Sequence, residues 1–528
     1  MIELDCNQKI YDFARSKTNP KGYLEFYGGK IRYDRFFDLI DNLSRNLSDY
    51  GIKQGEVVTL MLPNCPQFAM LVYALSNIGA IASMISPLIS EQQTLAIMKK
   101  TDSKRLFVSS LTKYAFDGVE KIRIDFGHFA GLPAKLLFKS QHPQKSGVPF
   151  EKVFLKKNCK KIGLPEVNPE DTAFYLNSGG TTGEPKTVKL SQLALNTSAF
   201  YIVNNLDENG YTLPVDANAV YILPMFYGYG LSVFHTQTVS SFNQYIRAKF
   251  RPLDLVKDIR KNKVEVMFGV PIMFKKMFAT GKADAKYIPT LKVCYSGGEK
   301  LSASLQKDFA RNLPDAVILE GYGLSEAVAA FVSQSKLYHK DGSCGRIFGP
   351  IKIRAFDGEN PLQPNTDGEI CVCTRSMMNG YLNDEVNTEK VIFEFEGEKW
   401  LRTGDFGKVD SDGYVFLTAR IKNIIKRNGI GIFPSQIEAC ISELSFVKDV
   451  VAFGCRDKQD VERIAVAVIL DNPDEQDVEQ KIKNYVKEKL SVLSMPEFLL
   501  VKDRFKLTAV GKVNTMILCE EVKNKFGI

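Results

Sequence analysis

Strand-like apolar runs alternate with segments of helical apolar spacing over residues 30–110. Residues 57–62 (VVTLML) predict a buried strand, and residues 67–78 predict a helix. Further strand-like runs, each followed by a turn that contains glycine or proline, lie at residues 219–223, 264–268, 292–296 and 316–319. This alternation predicts an α/β fold with largely parallel sheets, whose ligands bind at the loops that leave the carboxyl ends of the strands.

The pattern changes after residue 417. The elements predicted there, after a charged connector at residues 420–423, are helices at 434–442 and 475–490 and strands at 449–453 and 464–470. Because a chain of 528 residues is longer than one hydrophobic core usually supports, we predict two domains. The first is a large N-terminal domain of parallel-rich sheets with helices (residues 1–419). The second is a small α+β C-terminal domain (residues 420–528) on a short hinge.

The composition is that of an ordinary soluble globular protein, with 45% hydrophobic and 25% charged residues. No run approaches the roughly 20 apolar residues of a membrane-spanning helix, and the first residues lack the features of a secretory signal, so we expect a cytoplasmic protein. The ten cysteines contain no CxxC pair, which favours buried reduced thiols over a metal or redox centre. None of the four histidines stands beside a serine or cysteine nucleophile, which argues against a hydrolase triad.

The net charge of +8 is mostly spread along the chain, whereas nucleic-acid-binding proteins gather basic residues into stripes with interleaved aromatics. We therefore expect no nucleic-acid partner. One segment differs, because residues 135–161 hold eight lysines and a single acidic residue, Glu151. The preferred interpretation is a solvated loop or helix face, and weak peripheral contact with an anionic membrane surface is the alternative.

The sequence SGGTTGEPK at residues 178–186 forms the most informative motif. It lies between two strand-like runs, and its glycines let backbone N–H groups converge on an anion while its hydroxyls and its lysine add donors and positive charge. It is not a Walker A loop, because Pro185 and not glycine precedes Lys186. We predict a phosphate site formed by Ser178, Gly179, Gly180, Thr181, Thr182, Gly183 and Lys186.

This loop and the segment GYGLSE at residues 321–326 resemble, in order and spacing, motifs of the adenylate-forming superfamily of acyl-CoA synthetases, luciferases and adenylation domains. The resemblance is strongest to AMP-dependent acyl-CoA synthetases. It implies that Tyr322, beside Gly323, stacks on adenine and that the Ser325 hydroxyl contacts phosphate. It also implies that Glu326 holds Mg²⁺, a hard cation that takes carboxylate oxygens.

Other motifs along the chain extend the resemblance. The sequence SGGE at residues 296–299 resembles the loop against adenine, with Gly297, Gly298 and Glu299 as its contacts. Asp405, in RTGD, resembles the ribose-binding aspartate, and a carboxylate can accept hydrogen bonds from both ribose hydroxyls. Arg420 resembles a second ribose or phosphate contact, although Ala419 precedes it where the family has glycine.

The resemblance also implies the catalytic residues of the C-terminal domain. TAVGK at residues 508–512 resembles the segment whose lysine assists adenylation, here Lys512, although Lys506 stands where the family often has proline. Lys422 occupies the hinge position. Turning about Lys422 would withdraw Lys512 and bring in the face at Lys426, Gly429 and Gly431, which would open a path for coenzyme A (CoA).

The resemblance also implies an acid pocket near residues 224–230 and 327–330, with Tyr227, Tyr229, Gly321 and Val328 as substrate contacts. These segments are apolar and aromatic and carry no acidic residue. A buried ammonium without a counter-charge is costly, so an amino-acid substrate is disfavoured and a medium- or long-chain fatty acid or an aryl acid is favoured. The tyrosines can also be explained as ordinary core packing.

The sequence therefore predicts an ATP- and Mg²⁺-dependent carboxylic acid:CoA ligase that acts through an acyl-adenylate. An acyl-AMP ligase that loads an acyl carrier protein instead of CoA is the alternative. A kinase is disfavoured because the Walker A, H-R-D and D-F-G segments are missing. A non-catalytic nucleotide-binding regulator is disfavoured because Glu326, Asp405 and Lys512 are retained. The particular acid and the oligomeric state are left open.

Overall fold

A computed structural model describes residues 6–141, 146–157, 163–177, 186–208, 213–335, 340–347, 349–427, 430–459, 461–507 and 513–528. The chain divides into two compact units. The large unit comprises Met1–Lys352 and Cys373–Leu401, and the small unit comprises Ile353–Val372 and Arg402–Ile528. The predicted fold class, a large α/β domain followed by a smaller one, is confirmed.

The helices are α1 (Ile10–Lys17), α2 (Tyr33–Asp49), α3 (Pro66–Asn77), α4 (Glu91–Lys100), α5 (Leu132–Ser140), α6 (Phe150–Phe154), α7 (Gln192–Glu208), α8 (Gly228–Val239), α9 (Pro252–Lys261), α10 (Pro271–Phe278), α11 (Ala303–Asn312), α12 (Glu385–Val391), α13 (Pro434–Ile441), α14 (Val478–Lys489) and α15 (Thr515–Phe526). Several of them, including α3, α9, α10 and α13, begin at a proline. Proline favours this position because its fixed φ suits a helix and its missing N–H is not needed there.

The strands are β1 (Tyr23–Phe26), β2 (Gly29–Arg32), β3 (Val57–Met61), β4 (Ile81–Ile85), β5 (Arg105–Ser109), β6 (Glu120–Ile124), β7 (Val148–Pro149), β8 (Thr172–Asn177), β9 (Thr187–Ser191), β10 (Asn218–Tyr221), β11 (Asn243–Ile246), β12 (Val266–Gly269), β13 (Val293–Gly297), β14 (Val317–Leu324), β15 (Ala329–Ser333), β16 (Gly345–Ile347), β17 (Lys352–Asp357), β18 (Asn360–Pro361), β19 (Gly368–Cys373), β20 (Ile392–Phe395), β21 (Glu398–Val409), β22 (Tyr414–Arg420), β23 (Ile425–Arg427), β24 (Ile430–Ile432), β25 (Val447–Arg456), β26 (Glu462–Leu470) and β27 (Phe498–Val501).

Two parallel-rich sheets organise the large unit. In one sheet the order is β7-β6-β5-β3-β4-β8-β9, and each neighbouring pair is parallel except β8 with β9. In the other, the strands of the large unit follow the order β16-β15-β14-β13-β12-β10-β11-β1-β2. Pairing there is parallel from β14 to β1 and antiparallel at both ends.

The apolar patterns in the sequence correspond to real elements. The runs at 57–62, 219–223, 264–268, 292–296 and 316–319 form β3, β10, β12, β13 and β14. The helix predicted at 67–78 is α3, which is apolar on most sides and has all of its residues buried. A helix without a polar face is stable only when other elements surround it.

The small unit combines a group of β-strands with an α+β core. Its strands form the orders β18-β17-β19-β21-β22, β23-β24 and β25-β26-β27. The C-terminal elements predicted from the sequence are confirmed as α13, β25, β26 and α14. Residues 353–372 and 402–419 also pack in this unit, so its packing boundary differs from residue 420. The boundary of the mobile C-terminal domain, at residue 420, and the hinge at Lys422 stay predictions.

Across the described part of the chain, no helix combines the length and the apolar character that crossing a bilayer requires.

A buried ion cluster ties β1 to α9. Arg247 follows β11, and its side chain is only 7% exposed. Its Nη1 lies 2.7 Å from Glu25 Oε2, and its Nε lies 2.6 Å from Asp258 Oδ2. Burial opposes the charge on Arg247, but the hydrogen bonds and charges of Asp258 and Glu25 outweigh this effect and raise its pKa. Both carboxylates are therefore needed to stabilise the buried positive charge of the guanidinium.

We expect Glu25→Gln to lower the free energy of unfolding of the large unit by about 3 kcal/mol, because it leaves a buried cation short of counter-charge. Urea unfolding can be followed by the fluorescence of Trp400, the one tryptophan of the chain, which lies buried in the large unit. Asp254→Asn is the control, because its pair with Arg251 spans 3.9 Å between exposed side chains. Exposed pairs contribute at most about 1 kcal/mol. Equal effects of the two variants would contradict the prediction.

Candidate active site

The carboxyl ends of adjacent parallel strands place the candidate adenine loop and the 321–326 segment side by side. β12 ends at Gly269 and β13 ends at Gly297. Gly297 is the register partner of Gly321 in β14. SGGE thus lies where β13 ends, and Gly321–Glu326 starts beside it, inside β14 at the last parallel pair.

The three glycines at this edge of the sheet differ in what a side chain would meet at each position. A Cβ on Gly297 would lie 3.1 Å from the ring of Tyr229, so the ring would have to shift by a few tenths of an ångström. Gly298 has φ +83°, a conformation that favours glycine. Gly321 differs, because its Cβ would meet nothing closer than Ala330 Cβ at 3.5 Å, an ordinary contact. The protein itself does not require glycine at 321, which leaves close approach of a ligand as a reason.

The aromatic residues of the predicted acid pocket surround the start of α8. Tyr229 lies in the first turn, and its hydroxyl is 3.5 Å from the carbonyl oxygen of Gly269 at the end of β12. The Tyr227 ring packs edge-on against Phe226 at 4.6 Å between centroids. Burial raises the pKa of both Tyr227 and Tyr229, so both phenols are neutral at physiological pH. The surface they offer is aromatic and uncharged.

A short 3₁₀ helix, Ser325–Ala327, presents the serine and the glutamate predicted to contact phosphate and metal. Tyr322, in β14, is buried and packs edge-on against Phe331 at 5.0 Å. Val328 ends the 3₁₀ turn with φ +55° and is fully buried. A branched residue in this left-handed conformation costs about 1–3 kcal/mol, and such strain clusters at functional sites.

Glu320 is a buried carboxyl beside the candidate adenine loop. It precedes Gly321 in β14, and its register partner is Ser296. Burial raises the pKa of Glu320 to about 7, partly offset by a hydrogen bond from the Leu301 backbone N–H and by the charge of Lys300. Glu320 thus ties residue 301, just after the SGGE segment, to the neighbouring strand. Sequence reasoning did not identify this residue.

Tyr381 joins two of the predicted motifs. Its hydroxyl donates a 3.0 Å hydrogen bond to Glu326 Oε1. The Nζ of Lys186, the last residue of the phosphate motif, lies 4.6 Å from the centre of the Tyr381 ring, within cation–π range. Burial and the charge of Glu326 raise the pKa of Tyr381, so the phenol keeps its proton.

The backbone around Tyr381 holds the same two motifs. Residues 378–382 form hydrogen bonds with β9 on one side and with Glu326 on the other. These bonds run from Asn379 N to Lys189 O (2.8 Å), Lys189 N to Gly380 O (3.0 Å), Leu382 N to Thr187 O (2.9 Å) and Met378 N to Glu326 O (2.7 Å). The strand that leaves the phosphate motif is thereby fixed relative to the candidate metal ligand. The sequence signal for this segment was weak, since an Asn-Gly turn before a tyrosine is common in loops.

Asp405 and Arg420 meet in the small unit. They are register partners in β21 and β22, and Arg420 Nε lies 2.7 Å from Asp405 Oδ1. Asp405 is only 5% exposed, and Thr403 Oγ1 accepts a 3.1 Å hydrogen bond from its backbone N–H. The two residues predicted to contact ribose are therefore brought together.

The remaining predicted residues fall in two groups. Lys422 is exposed in the 3₁₀ turn Ile421–Asn423, and Lys426 in β23 is the register partner of the exposed Gly431 in β24. The residues that lie outside the described ranges are Ser178, Gly179, Gly180, Thr181, Thr182, Gly183, Gly429 and Lys512. Within those ranges, no three His, Cys, Asp or Glu side chains gather in a way that could hold a metal ion.

Comparison with known proteins gives the family. The signature of the AMP-binding enzymes matches residues 13–382, and that of the AMP-binding enzyme C-terminal domain matches residues 436–512. The chain is 28% identical to 4-coumarate–CoA ligase 4 of Arabidopsis thaliana over 480 residues, which covers 88% of this chain and 82% of that protein. It is 26% identical to the long-chain-fatty-acid–CoA ligase of Bacillus subtilis (strain 168) over 539 residues, which covers 97% and 94%.

Solved structures agree on the fold. Bacillus subtilis o-succinylbenzoate CoA synthetase, in complex with its acyl-adenylate intermediate, superposes with a TM-score of 0.79 at 20% identity, covering 97% of this chain and 98% of that one. ATP-bound MatB from Rhodopseudomonas palustris superposes with a TM-score of 0.82 at 20% identity, covering 98% and 100%. With the family signature spanning most of its length and CoA ligases as its full-length relatives, the chain belongs to the AMP-binding enzymes, as an acyl- or aryl-CoA ligase that works through an acyl-adenylate.

Proposed function

We propose that the enzyme joins an apolar carboxylic acid, either a medium- or long-chain fatty acid or an aryl acid, to CoA and releases AMP and pyrophosphate. The observation that carries the proposal is the contact of Tyr381 with both Lys186 and Glu326. It holds a cation and a carboxylate together at one edge of the large unit, which is the charge pattern that a magnesium-bound triphosphate requires.

The chemistry has two halves. In the first, a substrate carboxylate oxygen bonds to the α-phosphorus of ATP, the bond from that phosphorus to the bridging oxygen breaks, and pyrophosphate leaves. In the second, the CoA thiol loses its proton and bonds to the acyl carbon, and AMP leaves. Catalysis of the first half rests mainly on positioning and charge neutralisation. We assign Lys186 and residues 178–183 to the phosphates, and Lys512 to the reacting carboxylate and the α-phosphate.

The residues present fit a magnesium ion. Tyr381 engages one carboxylate oxygen of Glu326, and among the described residues no side chain bonds the other, which can serve as a ligand. Mg²⁺ in nucleotide sites is bound by one or two carboxylates together with substrate phosphates, so a larger cluster of acidic residues is not needed. When bound, the ion neutralises the charge of the leaving phosphates. The other nucleotide contacts are proposed as predicted from the sequence. Adenine is assigned to Tyr322 and Gly297, phosphate to Ser325, and ribose to Asp405 and Arg420, with phosphate as the alternative for Arg420.

The acid class follows from an uncharged pocket lining. Tyr227 and Tyr229 are neutral, and residues 224–230 and 327–330 contain no acidic side chain to pair with an amino group. Gly321 and Val328 complete the proposed lining. The named relatives act on an aryl acid and on long-chain fatty acids, which supports both classes and favours CoA over a carrier protein as acceptor. A cytoplasmic location is part of the proposal, supported by the cysteines of the described ranges, which are free and mostly buried.

The proposed function predicts that ATP–pyrophosphate exchange depends on fatty or aryl acids and that CoA converts the adenylate to a thioester. Each buried methylene contributes about 0.8 kcal/mol, so kcat/KM should rise about fourfold per methylene until the pocket is filled. Exchange and thioester formation are measured with straight-chain, aryl and amino acids. Preference for acetate or for an amino acid would contradict the acid class. Thioester formed only on a carrier protein would contradict CoA as acceptor.

Lys512→Ala should abolish pyrophosphate exchange and leave thioester formation from a supplied acyl-adenylate largely intact, because this lysine is assigned to the first half-reaction alone. Lys506→Ala is the control, since Lys506 is an exposed lysine that precedes the same segment. It should keep both half-reactions. Equal loss of both half-reactions in Lys512→Ala would exclude the assignment.

Tyr381→Phe should lower kcat/KM for MgATP about tenfold and raise the Mg²⁺ concentration needed for half-maximal rate. The variant keeps the ring under Lys186 but removes the hydrogen bond to Glu326, and a bond to a charged group contributes about 1.5–3 kcal/mol. Tyr381 is a positioning residue, so the shift in Mg²⁺ dependence is the decisive measurement.

Tyr50→Phe provides a matched control for Tyr381→Phe. Burial and the neighbouring Glu120 raise the pKa of Tyr50, and a cation, Arg105, lies over its ring at 5.9 Å. Its loss should affect stability at most and leave the Mg²⁺ dependence unchanged. If both variants change the Mg²⁺ dependence equally, or neither does, Tyr381 does not position Glu326.

A further inference from the structure

Helix α5 exposes three leucines to solvent. Leu132, Leu136 and Leu137 have 71%, 60% and 57% of their surface exposed, and none of the nine residues of the helix is buried. Exposed leucines scattered singly over a surface need no explanation, but three in one short helix form an apolar patch.

Leu132 and Leu136 face away from the protein because the opposite side of α5 anchors the helix, and Leu137 is exposed at the border between the two sides. Phe138 packs against Phe126 and Tyr27, with centroid distances of 4.9 Å and 5.4 Å. Ala134 lies one turn before Phe138 and is also partly covered. Since residues advance by about 100° in an α-helix, Leu136 stands about 200° from each of them, on the solvent side. Leu132 lies one turn before Leu136 and shares that side.

The start of α5 is held in place as well. The backbone N–H of Gly131 donates a 3.2 Å hydrogen bond to the carbonyl oxygen of Tyr27. A Cβ on Gly131 would lie 2.9 Å from the backbone of Gly28, so the two glycines pack directly against each other. The leucines are therefore displayed by a fixed helix and not by a free loop.

Basic residues border the leucines. Lys135 and Lys139 are exposed, lie one turn apart and flank Leu132 and Leu136 on the helix surface. The helix contains no acidic residue, and exposed lysines follow at 152, 156 and 157. Lys135 also donates a hydrogen bond to the carbonyl oxygen of His128 at 3.3 Å, which neutralises no charge.

A partner for this surface must be apolar and negatively charged. A second copy packed leucine to leucine across a two-fold axis would gather the lysines of both helices in one interface, and like charges repel. A nucleic acid would leave the leucines without a partner. An anionic lipid surface offers acyl chains to the leucines and headgroup charge to the lysines, as for amphipathic helices that lie in the membrane interface.

We propose that α5 docks the enzyme on anionic lipid bilayers, with Leu132, Leu136 and Leu137 inserted at the headgroup boundary and Lys135 and Lys139 among the headgroups. This surface is separate from the candidate active site. Its binding can be measured without ATP, acid or CoA, so it stands or falls independently of the proposed function.

Co-sedimentation of the full chain with phosphatidylcholine vesicles, with and without phosphatidylserine, tests the proposal. We expect binding to the phosphatidylserine vesicles that weakens as salt is raised, because screening acts on the lysines. Lys135→Gln and Lys139→Gln should each lower the partition coefficient about fivefold, the equivalent of about 1 kcal/mol per basic residue. The combined variant Leu132→Gln, Leu136→Gln and Leu137→Gln should lower it at least tenfold.

Leu88→Gln is the matched control, since Leu88 is 79% exposed outside this patch, and it should bind vesicles like the unchanged chain. A urea-unfolding midpoint equal to that of the unchanged chain, followed by Trp400 fluorescence, shows that a variant is folded. Three results would overturn the proposal: no binding to phosphatidylserine vesicles at low salt, full binding by the leucine variant, or equal binding to uncharged vesicles. A dimer in sedimentation velocity that the leucine variant abolishes would assign the patch to a second copy instead.

Discussion

The candidate site of the large unit depends on the in-register parallel pairing of β12, β13 and β14. One row of register partners, Met267, Cys294 and Ile318, packs on the apolar core beneath the sheet. Because side chains alternate between the two faces of a strand, a slip of one residue would turn this row to the other face, so burial fixes the register. The same register sets Gly297 beside Gly321 and places Glu320 beside the candidate adenine loop. The core thus determines where the binding loops begin.

The second constraint is the segment around Tyr381, which joins motifs that are far apart along the chain. Parallel pairing positions the 321–326 segment but does not reach the phosphate motif. That motif lies in sequence between β8 and β9, an antiparallel pair of a different sheet. Residues 378–382 connect them through backbone hydrogen bonds and one phenol. Lys186 and Glu326, which adjoin strands of two different sheets, are thereby held against one side chain.

Sequence reasoning predicted features that local physics determines. β3 and α3 were visible because fully buried elements show continuous apolar runs, and the nucleotide motifs were visible because glycines, hydroxyls and charges cluster within a few residues. Tyr381 and Glu320 were missed because each acts through a partner distant in sequence. The packing of residues 353–372 with the small unit was missed for the same reason, since the segment carries no local marker. The contact of Asp405 with Arg420 differs, because it arises from the antiparallel pairing of two strands that are consecutive in sequence.

The path of the chain between the units limits how they can move. The chain passes between them three times, after residues 352, 372 and 401. A rotation of the whole small unit would have to bend three covalent connections together about one axis, which leaves it few degrees of freedom. A rotation at Lys422 bends a single connection and leaves β17, β19 and β22 in place. The rotation proposed at Lys422 would therefore divide the small unit after β22, and its hinge would not coincide with the boundary between the compact units.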